Sequence, residues 1–174
     1  MSLLKLFLPD DHVQTVLEIT PEFLNEKGIK GVITDLDNTL VAWNQPEATP
    51  EVIEWFRQLR SEGIQVTIIS NNTEDRVSFF SKPLDIPFIS KAKKPMQTAF
   101  NRAKTEMNLP DEKIVVVGDQ LLTDVFGGNR ANLHTVLVVP VVHTDGFFTR
   151  FNRKIERRLL QYFKKTGKLN WEDK

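Results

Sequence analysis

The chain has 174 residues, of which 40% are apolar, and this is enough to bury a core, so we expect one domain over residues 1–174. Its 23 basic and 23 acidic residues cancel, and without a global positive field we expect no DNA partner. It contains no cysteine, which excludes disulfides and thiolate metal sites.

The first residues, MSLLKLFLPDD, do not have the pattern of a secretory signal. Their apolar stretch is interrupted by Lys5 and closed by Pro9, and no small-residue cleavage site follows. No apolar run in the chain approaches the roughly 18 residues needed to span a bilayer. We therefore expect a cytoplasmic protein.

Short β-branched runs alternate with amphipathic segments along the rest of the chain. The runs predict strands over residues 31–36, 65–70, 87–90, 113–117 and 133–139. Helices are predicted between them, over residues 49–63, 73–81, 95–107 and 121–129. This order favours an α/β fold with a doubly wound, Rossmann-like parallel sheet.

The first of these helices has the clearest boundaries. Thr49 is a good N-cap, Pro50 suits the first helical position, and Gly63 is a stop signal. Its predicted apolar face consists of Val52, Ile53, Phe56 and Leu59.

Polar clusters follow the predicted strands, and they read DLDNT, SNNT, SKAKKP and GDQLLTD. Each cluster alone has an ordinary explanation as a turn, a helix cap or a solvated surface. In a doubly wound sheet, however, the loops at the carboxyl ends of the strands line one crevice. The clusters would then gather several carboxylates, a hydroxyl and a lysine.

Such a gathering has a chemical consequence. Crowded carboxylates need a cation or a shared proton, and ligands that are all oxygen suit Mg²⁺. A lysine beside them suggests a phosphoryl group. One carboxylate can attack phosphorus, while a second can protonate the leaving oxygen and later activate water. Asp35 and Asp37 are two positions apart on an extended segment, so both can address one substrate.

Four motifs stand in these clusters. They are Asp35, Asp37 and Thr39 in the first, Ser70 in the second, Lys94 followed by Pro95 in the third, and Asp119 with Asp124 in the fourth. In type and order they resemble the motifs of the haloacid dehalogenase (HAD) superfamily phosphatases. The resemblance implies a HAD-like domain in which Asp35 is the nucleophile and Asp37 the general acid and base.

The same resemblance implies the ligands and the phosphate-binding groups. Mg²⁺ would be held by Asp35, the carbonyl of Asp37, Asp119, and Asp124 directly or through water. Ser70 and Lys94 would bind the phosphoryl oxygens. Lys91 and Lys93 remain alternatives, and Lys94 is preferred because proline follows it. An acid at position 37 favours hydrolysis over ion pumping.

Too few residues separate the motifs to hold a cap domain, either between Thr39 and Thr49 or between Asn71 and Lys91. The chain is therefore similar to the capless HAD subclass IIIA, and within it to the YqeG-type phosphatases, which are related to the mitochondrial phosphatidylglycerophosphatases. This resemblance implies a phosphorylated small molecule or a lipid phosphate as substrate, with phosphatidylglycerophosphate as one candidate.

A basic segment follows the last strand. Residues 147–168 carry eight basic residues and one acid, and they predict an amphipathic helix. Its apolar stripe is Phe148, Phe151, Ile155, Leu159 and Phe163. Either this stripe packs on the sheet, or the helix lies on an anionic membrane. A packed stripe would still leave cations to attract lipid headgroups or RNA.

The basic segment also supports an alternative function. The chain would then be a non-catalytic protein of the same fold that binds RNA, protein or an anionic membrane through this segment. Asp37 and Asp119 favour an enzyme, since a site without activity needs neither. The sequence does not indicate an oligomeric state.

Overall fold

Six parallel strands form a single sheet in the computed structural model, which describes residues 3–142 and 147–168, except for the side chains of residues 147–151. The strands are β1 (Asp11–Val13), β2 (Gly31–Thr34), β3 (Gln65–Ile69), β4 (Phe88–Ile89), β5 (Ile114–Gly118) and β6 (His134–Val138). Their order across the sheet is β1-β6-β5-β2-β3-β4. The predicted doubly wound α/β fold is confirmed.

The helices connect successive strands or follow the last one. They are α1 (Pro21–Glu26), α2 (Pro50–Ser61), α3 (Glu74–Ser81), α4 (Gln97–Met107), α5 (Phe126–Arg130) and α6 (Phe147–Lys165). A π-helical turn, Leu121–Val125, leads into α5. Within the described residues, the β2–α2 and α3–β4 connections hold an isolated bridge and a short 3₁₀ turn, so neither contains a cap domain.

Two elements near the N-terminus were missing from the sequence-based prediction. Strand β1 pairs with β6, and the Asp11 carboxylate lies 2.5 Å from Nε2 of His134. Helix α1 begins after Thr20, whose hydroxyl accepts a hydrogen bond from the backbone N–H of Phe23. Both elements therefore extend the sheet and its cover beyond the five-stranded core that the periodicity indicated.

Alternate strand residues supply two separate core layers, as the period of two requires. Val32 and Val115 pack with α2 and α3 on one face of the sheet. Ile33 and Val116 pack with α4 on the other face. The sheet is thus covered on both sides, and its functional groups are left to the strand ends.

The inward face of α2 differs by one position from the predicted face. Val52, Phe56 and Leu59 are buried as expected, whereas Ile53 is 45% exposed. Trp55 is buried instead, and its indole N–H donates to the carbonyl of Ile19 at 2.9 Å. The prediction for Ile53 was wrong because contact with the segment before α1 selects the Trp55 side of the helix.

Helix α6 packs on the molecule, but not with the whole predicted stripe. Phe163 is buried, and Leu159 lies half-buried against a cluster that includes Leu121. Ile155 is 38% exposed, while Glu156 is buried. Two members of the stripe, Phe148 and Phe151, have side chains outside the described residues. Among the residues that are described, no helix is long and apolar enough to cross a membrane.

Candidate active site

Three carboxylates meet at the carboxyl ends of the neighbouring strands β2 and β5. Asp35 follows β2, and its backbone N–H donates to the carbonyl of Val117 in β5 at 2.9 Å. Asp119 follows β5 directly, and Asp124 lies in the π-helical turn beyond it. One oxygen from each of Asp35, Asp119 and Asp124 lies within 4.8 Å of the others. We call these three residues the carboxylate cluster.

A buried lysine joins two members of the cluster. Nζ of Lys94 lies 2.8 Å from Oδ1 of Asp35 and 2.7 Å from Oδ1 of Asp124. Lys91 and Lys93, the alternatives that the sequence left open, are exposed. Of these three lysines, Lys94 is therefore the one that the fold brings to the cluster.

The threonine of the first motif makes a second bridge. The hydroxyl of Thr39 lies 3.3 Å from Oδ2 of Asp35 and 3.2 Å from Oδ1 of Asp119. The Thr39 hydroxyl therefore lies between these two carboxylates, and its single hydrogen is shared between them.

The carboxylate of Asp37 is held by residues outside the carboxylate cluster. Its Oδ1 accepts from Nη2 of Arg76 at 2.9 Å and from Nε of the same side chain at 3.1 Å. Its Oδ2 accepts from Nδ2 of Asn72 at 2.9 Å. The carboxylate of Asp37 is thus fixed by α3 and the loop before it, at a different point from the three clustered acids.

The SNNT loop after β3 connects these groups. The buried Ser70 accepts, at Oγ, a hydrogen bond from the backbone N–H of Asn72 at 3.1 Å. Asn71 pairs with the backbone of Lys94, accepting from its N–H at 2.7 Å and donating to its carbonyl at 3.3 Å. The two asparagines therefore position Asp37 and Lys94, which lie on different loops.

Burial sets the electrostatics of the cluster. It raises the pKa of Asp124 to about 6, although the ammonium of Lys94 acts in the opposite direction. It also raises the pKa of Asp119 well above the ordinary value, against the opposing charge of Arg153. Burial would lower the pKa of Lys94, but Asp124 and Asp35 raise it above its ordinary value. The site thus holds more negative charge than its own cations offset.

This donor set fits a divalent metal ion. Asp35, Asp119 and Asp124 offer only oxygen atoms, as hard divalent cations prefer, and they come from three places in the chain that the fold holds together. The excess negative charge is the condition that a cation relieves. The carboxylate of Asp37 does not belong to this group.

Gly118, the last residue of β5, provides the space that the cluster needs. A Cβ atom at this position would lie 2.2 Å from Cγ of Asp124, closer than atoms can approach. We therefore expect Gly118→Ala to displace Asp124 and to lower the affinity for a divalent metal ion by about ten-fold or more. Titration calorimetry measures this affinity. Gly63→Ala is not a suitable control, because Gly63 has φ +69 and an alanine there would strain the backbone.

Ala99→Gly, at a buried position in α4 away from the cluster, controls for a general loss of stability. A folded Gly118→Ala protein with unchanged affinity for the metal ion would contradict the role of Gly118.

Sequence reasoning missed three residues of the site. Asn72 stands in the SNNT cluster, but Ser70 was the residue of that cluster to which a role was assigned. Arg76 follows the N-cap Thr73 by three residues, and its position on the first turn of α3 was the available signal. Arg153 of α6 contacts Asp119 from 34 positions away, and no local pattern indicates that pairing.

The comparisons with known proteins agree with the geometry. Residues 11–132 match the haloacid dehalogenase-like hydrolase family. The probable phosphatase YqeG of Bacillus subtilis is 60% identical over 97% of this chain and 98% of its own length. A phosphatidylglycerophosphate phosphatase of Arabidopsis thaliana is 27% identical over 92% of this chain, which spans 49% of the plant protein.

Solved structures show the same fold. The cobalt-bound deoxy-D-mannose-octulosonate 8-phosphate phosphatase of Haemophilus influenzae is 18% identical, with a TM-score of 0.55 over 78% of this chain and 89% of that one. The predicted enzyme class, a phosphatase, is confirmed by the family match and the bacterial relative. The chain belongs to the haloacid dehalogenase-like hydrolase family.

Proposed function

We propose that this protein is a Mg²⁺-dependent phosphatase that hydrolyses a phosphate monoester through an aspartyl-phosphate on Asp35. The observation that carries the proposal is the buried cluster of Asp35, Asp119 and Asp124 with Lys94 bonded to two of them. A phosphoryl group needs a nucleophile in line and positive charge on its oxygens, and Asp35 and Lys94 are the candidates for these two roles.

In the first step, an Asp35 oxygen attacks phosphorus and the bond from phosphorus to the ester oxygen breaks. Asp37 gives its proton to the leaving oxygen, so the products are an alcohol and the aspartyl-phosphate. Burial raises the pKa of Asp37 despite the opposing contacts of Asn72 and Arg76, and a raised pKa favours the protonated form that this step needs.

In the second step, water attacks phosphorus and the bond to the Asp35 oxygen breaks. Asp37, now ionised, accepts the proton of the water, and inorganic phosphate is released with both aspartates restored. The contacts with Arg76 and Asn72 would hold one carboxylate in place for both proton transfers.

Asp35, Asp119 and Asp124 would hold Mg²⁺, with the carbonyl of Asp37 as a further ligand and Asp124 acting directly or through water. When bound, the ion offsets the negative charge that develops on the phosphoryl oxygens. Lys94 would give up one of its contacts with the carboxylates and donate a hydrogen bond to a phosphoryl oxygen instead. Ser70, which is buried directly after β3, would donate its hydroxyl to another phosphoryl oxygen.

For the substrate, we propose a lipid phosphate, with phosphatidylglycerophosphate as the specific candidate. The plant relative's name supports that candidate, and the lack of a cap domain in the described part of the chain is compatible with a large substrate. A phosphorylated small molecule is the competing substrate class.

We also propose that α6 contacts the inner face of an anionic membrane through its exposed side. Lys154, Arg158 and Lys165 are exposed there, together with Ile155 and Tyr162, which are 38% and 43% exposed. Cations beside partly exposed apolar groups are the features of helices that lie in a membrane interface. The buried face of α6 remains packed on the protein in this arrangement.

Removal of divalent metal tests the proposed mechanism. We expect EDTA to reduce hydrolysis of a chromogenic phosphate ester to the background rate, and added Mg²⁺ to restore it, because the carboxylate cluster then regains its cation. Full activity after exhaustive chelation would overturn the metal dependence.

A substrate panel tests the lipid proposal separately. Phosphatidylglycerophosphate in anionic vesicles and soluble phosphomonoesters are compared by phosphate release at the same Mg²⁺ concentration. We expect a higher kcat/KM for the lipid and co-sedimentation of the protein with the vesicles. Turnover of soluble esters alone, without vesicle binding, would remove the lipid substrate and leave the phosphatase.

A further inference from the structure

An arginine of α6 contacts the carboxylate cluster from outside. We propose that Arg153 is a positioning residue for Asp119, and that through it the docking of α6 is coupled to metal binding. The inference rests on the proposed function, because it takes the carboxylate cluster to be the metal site.

The contact holds both the main chain and the side chain of Asp119. Nη1 of Arg153 donates to the backbone carbonyl of Asp119 at 2.8 Å, and Nη2 is bonded to Oδ2 of its carboxylate. The other oxygen, Oδ1, lies next to the Thr39 hydroxyl and hence on the side of Asp35. The planar fork of Arg153 therefore fixes the direction in which Asp119 presents Oδ1, the oxygen that Arg153 does not contact.

A buried glutamate fixes the arginine in turn. Oε2 of Glu156 accepts from Nη1 of Arg153 at 3.2 Å, and Oε1 accepts from the backbone N–H of Leu122 at 3.2 Å. Leu122 lies in the turn between Asp119 and Asp124. Glu156 thus ties α6 to the segment that carries two of the three clustered acids.

Apolar contacts complete the docking of α6 at the same segment. Leu159 and Leu160 pack against Leu121 and Val125 of the turn, and against Leu137 of β6. If α6 moved away, Arg153 would be withdrawn and Asp119 would lose the group that fixes the orientation of its carboxylate. Mutation of a group that orients a metal ligand commonly lowers metal affinity by roughly 10- to 100-fold.

Coupling between two binding equilibria is reciprocal. If docked α6 strengthens metal binding by orienting Asp119, bound metal must strengthen the docking of α6 by the same factor. The arrangement thus links a surface with exposed cations to the chemistry at the strand ends.

Mn²⁺ binding tests the role of Arg153 without reference to turnover. The dissociation constant is measured from the electron paramagnetic resonance of free Mn²⁺, and folding is checked by thermal unfolding. We expect Arg153→Gln to raise the dissociation constant by about 10- to 100-fold. Arg153→Lys, which keeps the charge without the planar fork, should give a smaller increase.

Arg102→Gln is the matched control, because Arg102 also pairs with a carboxylate, Glu106, but on the exposed surface of α4. Its Mn²⁺ affinity should equal that of the wild type. Equal affinity in folded Arg153→Gln would overturn the inference and leave the proposed metal site intact. Absence of Mn²⁺ binding by the wild type would overturn both.

Hydrogen exchange of the wild type tests the coupling if Arg153→Gln does not fold. Saturating Mg²⁺ should slow amide exchange in α6 more than in α4, since the metal stabilises the docked helix. Equal effects on both helices would show that metal binding and α6 docking are independent, and would overturn the coupling.

Discussion

Asp35→Asn is expected to abolish phosphate release, lowering kcat by about 10⁴-fold or more, because loss of a nucleophile removes covalent catalysis altogether. The amide has nearly the shape of the carboxylate, so the packing at the end of β2 should survive. It cannot form the aspartyl-phosphate, and it offers only one acceptor for Lys94 and Thr39. Steady-state release of phosphate measures the loss.

A second measurement identifies the cause of that loss. With a substrate labelled in the phosphoryl group, rapid acid quench should trap a covalent phosphoprotein in the wild type and none in Asp35→Asn. Asp75→Asn, at an exposed position in α3, is the control for the change of acid to amide. Turnover by Asp35→Asn at more than a small fraction of the wild-type rate would contradict Asp35 as the nucleophile.

The main elements of the fold were predictable because their signals are local. The β-branched runs identified β2, β3, β5 and β6 to within two residues at each end. Thr49 and Pro50 marked the start of α2, and the Thr49 hydroxyl does accept from the N–H of Val52. The same pair of residue types stands at the start of α1, where Thr20 is the N-cap and Pro21 is the first helical residue. That helix therefore carried a usable signal in a segment too short for periodicity.

Strand β1 had no such local signal. It contains an acid and a histidine, and it forms because β6 offers an edge and because Asp11 lies against His134. The register of α6 was likewise decided by distant contacts. A stripe drawn from apolar residues included Ile155, whereas Glu156 is the residue that turns inward, because it accepts from the N–H of Leu122.

The candidate site likewise contains residues that local sequence signals identify and residues that only distant contacts reveal. The acids at the strand ends were recognisable from their spacing and from the parallel sheet that the sequence predicted. The choice among Lys91, Lys93 and Lys94 depends on backbone geometry, since Lys91 and Lys93 have φ values of 48 and 54 and turn outward, while Lys94 is buried. Asn72 and Arg76 became identifiable only through their contacts with Asp37.

Lys94→Met is expected to cause the largest loss of stability. It removes the ammonium from between Asp35 and Asp124 and leaves buried charge uncompensated, which costs about 3–5 kcal/mol. Lost contact with the phosphoryl group should also lower kcat by about 10²- to 10³-fold. Urea unfolding in EDTA measures the free energy, and Lys91→Met and Lys93→Met are matched controls at neighbouring exposed positions.

The pH dependence of that loss follows from Asp124. Burial raises its pKa to about 6 in the wild type, and without Lys94 the pKa must rise further. A carboxyl with a raised pKa in the folded state binds its proton more tightly there than when unfolded, so stability falls as pH rises through that range. The difference between Lys94→Met and wild type should therefore be smaller at pH 5 than at pH 8.

Saturating Mg²⁺ should restore part of the stability that Lys94→Met loses, and it should restore more than it adds to the wild type. The reason is electrostatic: the ion and the ammonium relieve repulsion among the same carboxylates, so each contributes more when the other is absent. Unfolding of both proteins with and without Mg²⁺ gives this difference as a double cycle. Equal stabilisation of the two would mean that the metal binds away from Asp35 and Asp124, and would contradict the carboxylate cluster as its site.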